Sequence, residues 1–248
     1  MSKKHLSTER GYREIMHPAS GEIGFQVVVE ETDLFIIATQ DIHEEVAALV
    51  QELRGALKNH ILFHPEFLSS LEPLSEDKGA PGFIRRMYAA GEACGVGPMA
   101  AVAGTIAQEV ADRFRSRCPD ILVENGGDVY MHSTRERTVA LLADPEGGAS
   151  IGLRVEAEQC PLALCSSSGR IGHSLSLGTG DLVCVLSESG SLADAAATAL
   201  CNLLGEERDL ELVVERAQEW ATLGLSGVFA QYGDKLAAWG NLELVALD

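Results

Sequence analysis

The short turns between apolar segments constrain the fold of this chain most. Apolar runs of strand length come in pairs, and Asn125-Gly126 is the strongest of their hairpin signals. Long helical patterns separate these pairs. Hairpins alternating with helices favour an α+β fold with antiparallel sheets over a parallel doubly wound sheet. The order strand–strand–helix recurs, which suggests an ancient duplication.

Periodicity and turn residues predict the individual elements. The predicted strands are 25–30, 34–38, 121–124, 128–132, 139–143, 151–155, 162–165, 182–186, 228–232, 236–239 and 242–247. The predicted helices are 42–58, 98–117, 192–204 and about 209–222. Asp41 and Glu44 resemble a capping box for the first helix. Residues 71–83 are rich in Pro, Gly and charge, so we expect a loop or lobe boundary within a single domain of residues 1–248.

Composition limits the partners. The net charge is −18 and the isoelectric point is near 4.7, so a nucleic acid backbone would be repelled. No apolar run approaches the roughly 18 residues of a membrane span, and the polar N-terminus lacks a signal peptide pattern. Six scattered cysteines indicate a reducing compartment. We therefore expect a cytoplasmic protein; a homo-oligomer is left open.

Asp194 and Thr198 carry the first candidate site. They are four residues apart and share one face of a helix that is otherwise Ala and Leu. A buried carboxylate needs a partner, and Mg²⁺ takes oxygen ligands with only one or two carboxylates. The alternative is local capping, with Ser191 as N-cap, Asp194 favouring the first turn and Thr198 bonding back to a carbonyl. Spacing alone ranks capping ahead of the metal.

Glycine-rich stretches carry the second candidate site. Residues 166–180 combine hydroxyls with glycines, and Gly126-Gly127 allows main chain to approach a ligand closely. Gly97 precedes a helix start, where unpaired N–H groups attract anions. Together these features predict a phosphate or diphosphate site. The alternatives are a flexible polar connection, a plain hairpin turn and a loop-to-helix junction.

The order of these motifs resembles the ApbE family of FAD:protein FMN transferases. Residues 193–200 read ADAAATAL, similar to the family's A-D-A-L-A-T-A-L. Residues 173–180 read HSLSLGTG, where the family has H-I-I-D-P-R-T-G. Ser167-Ser168-Gly169 resembles its T/S-S-G element, and ENGGD at 124–128 its N-x-G-G-D. The resemblance spans about residues 91–204 and looks like a short branch found in anaerobic bacteria and archaea.

The resemblance implies a T-fold-like architecture of antiparallel sheets with long helices packed on them. It also implies Mg²⁺ and FAD or FMN as cofactors, with Asp194 and Thr198 as metal ligands. The family's third ligand is a backbone carbonyl, which would fall near residues 105–107. The ligand-binding residues predicted from the resemblance and the glycine-rich stretches are Gly97, Gly126, Gly127, Ser168, Gly169, His173, Thr179 and Gly180.

Departures from the family pattern predict that standard FMN transfer is lost. Residues 102–109 read VAGTIAQE without the family's Lys, and Ser176 and Leu177 replace its Asp and Pro. These changes remove charge where phosphoryl transfer needs it. We therefore expect binding of Mg²⁺ and a flavin or other phosphate-bearing ligand. The alternative implied by the resemblance is a non-catalytic flavin carrier, or an accessory protein in sulfur assimilation and homocysteine formation.

Overall fold

The computed structural model describes residue 13 and residues 16–141, 151–169 and 180–247. Its helices are α1 (His43–Phe63), α2 (Glu66–Ser69), α3 (Gly82–Cys94), α4 (Val102–Phe114), α5 (Gly190–Leu203) and α6 (Asp209–Glu219). Its strands are β1 (Ile23–Val29), β2 (Thr32–Ala38), β3 (Ile121–Asn125), β4 (Asp128–His132), β5 (Arg137–Leu141), β6 (Ile151–Val155), β7 (Leu162–Ser167), β8 (Leu182–Ser187), β9 (Leu225–Tyr232), β10 (Lys235–Gly240) and β11 (Glu243–Ala246).

The strands form two antiparallel sheets. The larger has eight strands in the order β1-β2-β3-β4-β7-β8-β9-β10, and the smaller has the order β11-β6-β5. Alternating side chains let the large sheet bury both faces. One face packs against the helices, and the other packs its apolar side chains against those of the small sheet. The predicted α+β class with antiparallel sheets is confirmed; the duplication stays a prediction.

Helix α5 lies at the centre of the helical layer. Ala and Leu occupy nearly all of its sides, and it packs against β7, β8, α3 and α4. A helix that is apolar all round is expected to be buried in this way. Its closest approach is to α4, where a Cβ added to Gly104 would lie 2.3 Å from the carbonyl oxygen of Gly190. The two glycines therefore let the helix backbones touch.

One helix was missed by the prediction, and another was predicted with the wrong bounds. Helix α3 was missed, although Ile84, Met87, Tyr88 and Gly91 form a buried stripe on it. Glycines at and near its ends, beside a Pro, hide the helical pattern. The predicted helix 98–117 is a short 3-10 turn, Pro98–Ala101, followed by α4.

The first helix also differs from its prediction. It extends to Phe63, and the capping box is wrong because Ile42 is the N-cap and no side chain caps it. Asp41 instead accepts a hydrogen bond from the backbone N–H of His43 at 3.1 Å. Residues 71–81 form the expected loop. The strands before and after this loop share one sheet, since β2 pairs with β3; a lobe boundary there stays a prediction. Within the described part of the chain, no helix has the length and apolar character of a membrane span.

Candidate functional site

The hairpin between β3 and β4 forms one wall of the candidate site. Asn125 pairs with Asp128, so the turn has two central residues, Gly126 at φ 71° and Gly127 at φ 105°. Positive φ at both positions is what a type I′ hairpin requires, and it favours glycine. A Cβ added to either glycine would meet no atom within 4 Å. The predicted hairpin is confirmed, but its turn is Gly126-Gly127 and not the predicted Asn125-Gly126, because Asn125 is the last residue of β3. The turn borders open space.

Asp194 projects from α5 towards the start of α4. Its Oδ2 accepts a hydrogen bond from the backbone N–H of Gly104 at 2.8 Å, and the N–H of Ala103 also bonds to this carboxyl group. These are the second and third residues of α4, whose own N-cap, Ala101, supplies no side-chain bond. Asp194 therefore caps a neighbouring helix, which satisfies N–H groups that would otherwise be unpaired.

The alternative prediction, in which Ser191 and Asp194 cap their own helix α5, is wrong. Ser189 is the N-cap of α5, and its side chain accepts from the N–H of Leu192 at 3.3 Å. Ser191 instead shares a hydrogen bond of 2.7 Å with the hydroxyl of Thr105. Asp194 lies beyond the first turn, so it does not stabilise its own helix in the predicted way.

Asp194 is paired with a second buried acid, Asp128; we call these two residues the carboxyl pair. Their side chains hydrogen bond to each other, and Asp128 Oδ1 accepts from the N–H of Ser166 at 2.9 Å. Such a bond between two acids needs a proton on one of them. Asp128 closes the ENGGD motif and begins a buried strand, but no role in the site was predicted for it.

Burial dominates the electrostatics of the carboxyl pair. It raises the pKa of Asp128 to about 7, against the lowering effect of the bond from Ser166. It also raises the pKa of Asp194 well above the usual value, and the charge of Asp128 adds to this. No basic side chain of the described residues forms an ion pair with either acid. The pair must therefore keep a proton or take up a cation.

Two hydroxyl groups lie on the same side of the large sheet. Thr198 follows Asp194 by one helical turn and is partly exposed. Ser167 shares a face of β7 with Cys165, whose Sγ lies 3.8 Å from the carbonyl oxygen of Gly190. Ser167 Oγ is buried and has no hydrogen bond partner in the part of the chain that the structure describes. An unpaired buried hydroxyl is costly, so this atom has capacity for a ligand.

Neighbouring polar groups hold the site together. The side-chain amide of Asn125 donates to the carbonyl of Ala103 at 3.1 Å, which ties the hairpin to α4. Gln108 accepts from the N–H of Gly190 at 2.9 Å and donates to the hydroxyl of Tyr130 at 3.3 Å. These bonds join α4, α5 and β4. The backbone of α4 that faces Asp194 is at 103–104, just before the window 105–107 predicted for a carbonyl ligand.

The other predicted ligand-binding residues lie in different places. Ser168 and Gly169 follow β7, and the N–H of Gly169 donates to the carbonyl of Gly180 at 3.0 Å. Gly180 packs on Leu204, since a Cβ added to Gly180 would lie 2.4 Å from Cδ2 of Leu204. His173 and Thr179 lie outside the described residues, so their roles stay predictions.

Gly97 has a structural explanation of its own. A Cβ at Gly97 would lie only 1.8 Å from the carbonyl oxygen of Ser70, so the position excludes any side chain. It is also the N-cap of a 3-10 turn of four residues rather than of a long helix. The close packing accounts for a glycine here without a ligand, and a binding role for Gly97 stays a prediction.

Comparison with known proteins identifies the family. The family model described as "AbpE bacteria" matches residues 14–223, and the chain belongs to this family. A UPF0280 protein of Methanopyrus kandleri is 41% identical over 199 residues, which cover 79% of this chain and 80% of that protein. A UPF0280 protein of Methanocaldococcus jannaschii is 33% identical over 230 residues, which cover 90% and 93%. The predicted resemblance is confirmed.

Solved structures show the same fold. The ApbE protein of Thermotoga maritima aligns with a TM-score of 0.56 at 12% identity, over 87% of this chain and 96% of that one. The flavin transferase ApbE of Vibrio cholerae aligns with a TM-score of 0.50 at 15% identity, over 88% and 96%. The ApbE-like architecture is thereby confirmed.

Proposed function

We propose that this protein binds Mg²⁺ through Asp194 and Thr198, together with a flavin or another phosphate-bearing ligand. The observation that carries the proposal is the buried carboxyl pair, which has no basic partner among the described residues. A hard divalent cation would neutralise this pair and is compatible with oxygen ligands. Ser167 Oγ, which is buried and has no partner among the described residues, is a further oxygen for the cation or its ligand.

The space for a ligand lies beside the hairpin. Gly126 and Gly127 border open space, so the main chain there can approach an anion without a side-chain clash. Ser168 and Gly169, which follow β7, are included in the proposed ligand site because of the family resemblance. A flavin is the first ligand to test because the Vibrio cholerae neighbour is a flavin transferase. Bound Mg²⁺ would offset the charge of a phosphate group in this strongly acidic protein.

We further propose that the protein does not transfer FMN to the usual acceptor sequences. Residues 102–109 form the start of α4 beside Asp194 and contain no Lys. Without that cation, and with Ser176 in place of an acid, two charged groups of the family pattern are missing. The same two departures favour a second candidate, a non-catalytic flavin carrier or an accessory protein in sulfur assimilation and homocysteine formation.

Calorimetric titration with Mg²⁺ tests the metal site. Asp194→Asn keeps an oxygen that can accept from Gly104 but removes the charge, so we expect Mg²⁺ binding to be lost while α4 stays capped. The matched control is Asp209→Asn, because Asp209 Oδ2 also accepts from two backbone N–H groups, those of Gly205 and Glu206. We expect normal Mg²⁺ binding there. Equal affinity in wild type and Asp194→Asn would remove Asp194 from the metal site.

A thermal-shift screen tests the ligand. FAD, FMN and ADP are added with Mg²⁺ or with EDTA, and a ligand at 100 times its dissociation constant should stabilise the fold by about 2.7 kcal/mol. Stabilisation that needs Mg²⁺ supports the site, whereas no shift with any of them would overturn it. Mass spectrometry of an acceptor peptide incubated with FAD and Mg²⁺ tests transfer. Covalent FMN on the peptide would refute the proposal that the protein does not transfer FMN.

A further inference from the structure

A second cluster of potential ligands lies at the end of α1, away from the residues proposed to bind Mg²⁺ in α5. His60 is in the last turn of this helix, His64 is its C-cap, and Asp77 comes from the loop before α3. One ligand atom from each residue lies within 4.8 Å of the other two. We propose that these three side chains bind a divalent transition-metal ion of the zinc type.

The distances suit tetrahedral coordination. Asp77 Oδ2 lies 3.5 Å from His64 Nε2 and 3.9 Å from His60 Nδ1. Zinc bonds of about 2.0–2.1 Å place tetrahedral ligand atoms roughly 3.3–3.4 Å apart. Asp77 must therefore move about half an ångström closer to His60. The rings of His60 and His64 are stacked, with centroids 4.5 Å apart and planes 25° from parallel, so the His64 ring must rotate out of the stack to direct a lone pair at the same ion. His64 and Asp77 are each 36% exposed, and we expect them, and not His60, to move when the ion binds.

His60 is the rigid ligand of the cluster. Its side chain is only 5% exposed. The rings of Phe67 and Tyr88 contact it edge-on, with centroids 5.0 and 5.7 Å away. Its Nε2 is 2.9 Å from the Tyr88 hydroxyl. With the Nε2 proton donated to Tyr88, the lone pair of Nδ1 faces Asp77, which is the usual way that a second partner orients a ligating histidine.

The ligand chemistry selects the metal. Two imidazoles and one carboxylate suit zinc and its first-row neighbours, whereas Mg²⁺ prefers oxygen ligands alone. Burial lowers the pKa of His60, which favours the neutral ring that can bind a cation. Three protein ligands leave a fourth position on the exposed side for water. The bound ion would join the end of α1 to the loop of residues 71–81.

Zinc and cobalt titrations of the untagged, EDTA-treated protein test this site. We expect one Zn²⁺ per chain, raised thermal stability, and the visible absorption of tetrahedral Co²⁺ without thiolate charge-transfer bands. His64→Gln and Asp77→Asn change half-exposed side chains, so both variants should fold. Each should weaken Zn²⁺ binding more than about 10-fold, because even outer partners of a ligand are worth 10–100-fold.

The controls separate a ligand role from a general effect. His132→Gln removes another histidine beside an acid, since His132 Nε2 lies 2.8 Å from Asp112 Oδ1, and it should leave Zn²⁺ affinity unchanged. Tyr88→Phe removes only a hydroxyl and should weaken Zn²⁺ about 10-fold while Mg²⁺ binding is kept. Three results would overturn the proposal. They are the absence of stoichiometric Zn²⁺ binding, unchanged Zn²⁺ affinity in both His64→Gln and Asp77→Asn, and Co²⁺ absorption bands typical of thiolate ligands.

Discussion

Two buried acidic sites in the same molecule show opposite electrostatics. Glu22, with a side chain that is 0% exposed, accepts two hydrogen bonds from Arg137, and Arg135 lies 3.1 Å away. Burial alone would raise the pKa of Glu22, but the arginines lower it below the usual value. In the carboxyl pair, burial dominates and the pKa values of both acids are raised.

The difference between the two sites distinguishes a structural ion pair from a candidate binding site. Glu22 has its cation within the chain, so its charge stabilises the folded state. The carboxyl pair has none among the described residues, and such a site costs stability unless a proton or a metal ion is supplied. Perturbed carboxyl groups of this kind are concentrated at functional sites. The following variants test this contrast, beginning with the largest expected effect.

Arg137→Met should cost about 3 kcal/mol of unfolding free energy, because it leaves a buried Glu22 with a weaker partner. Urea denaturation at neutral pH measures the loss. The control is Arg135→Met, whose side chain is 38% exposed and should cost under about 1 kcal/mol. Equal losses in the two variants would show that burial does not decide the strength of these ion pairs.

Gly104→Ala should cost about 2 kcal/mol and weaken Mg²⁺ binding, because the new methyl group pushes α4 away from α5 and Asp194. Gly55→Ala in α1 is the control. Its Cβ would meet nothing within 4 Å, so helix propensity should stabilise it by about 0.5–1 kcal/mol. A Gly104→Ala protein as stable as wild type would contradict the contact between the two helices.

Asp128→Asn should stabilise the metal-free protein by about 1 kcal/mol while weakening Mg²⁺ binding. The amide can accept from Ser166 and donate to Asp194, so the hydrogen bonds remain while one buried charge is removed. Thermal unfolding in EDTA and calorimetric Mg²⁺ titration measure the two effects. A stability loss in EDTA would mean that the charge of Asp128 is already compensated.

The smallest effect is on acid stability. Because the folded-state pKa of Glu22 is lowered, its stabilising contribution is present above the unfolded pKa of about 4.5 and is lost as the pH falls through the lower folded value. The stability advantage of wild type over Glu22→Gln should therefore hold at neutral pH and shrink below about pH 4.5. Urea unfolding across that range measures it, and an advantage independent of pH would exclude the ion pair as its origin.

The predictions from sequence succeeded where the deciding interactions are local. The Asn125-Gly126 signal predicted the hairpin, and the turn itself is one residue further on, at Gly126-Gly127, where glycine allows positive φ at both positions. The apolar pattern around Asp194 predicted a buried helix for a similar reason. Helix α3 was missed because glycines mask its pattern. A Cβ added to Gly91 would lie only 2.7 Å from the carbonyl oxygen of Val96, so this position excludes a side chain. That contact exists only in the folded chain and cannot be read from the local sequence pattern.

The sequence by itself determined the α+β class, the hairpins and the motifs by which the family is recognised. Only the tertiary structure decided what those motifs contact: Asp194 caps α4 instead of its own helix, and it meets Asp128 from a distant strand. Turn and helix preferences act within a few residues, so periodicity can reveal them. The partner of a buried charge is determined by packing between layers, which brings together residues that are far apart in sequence.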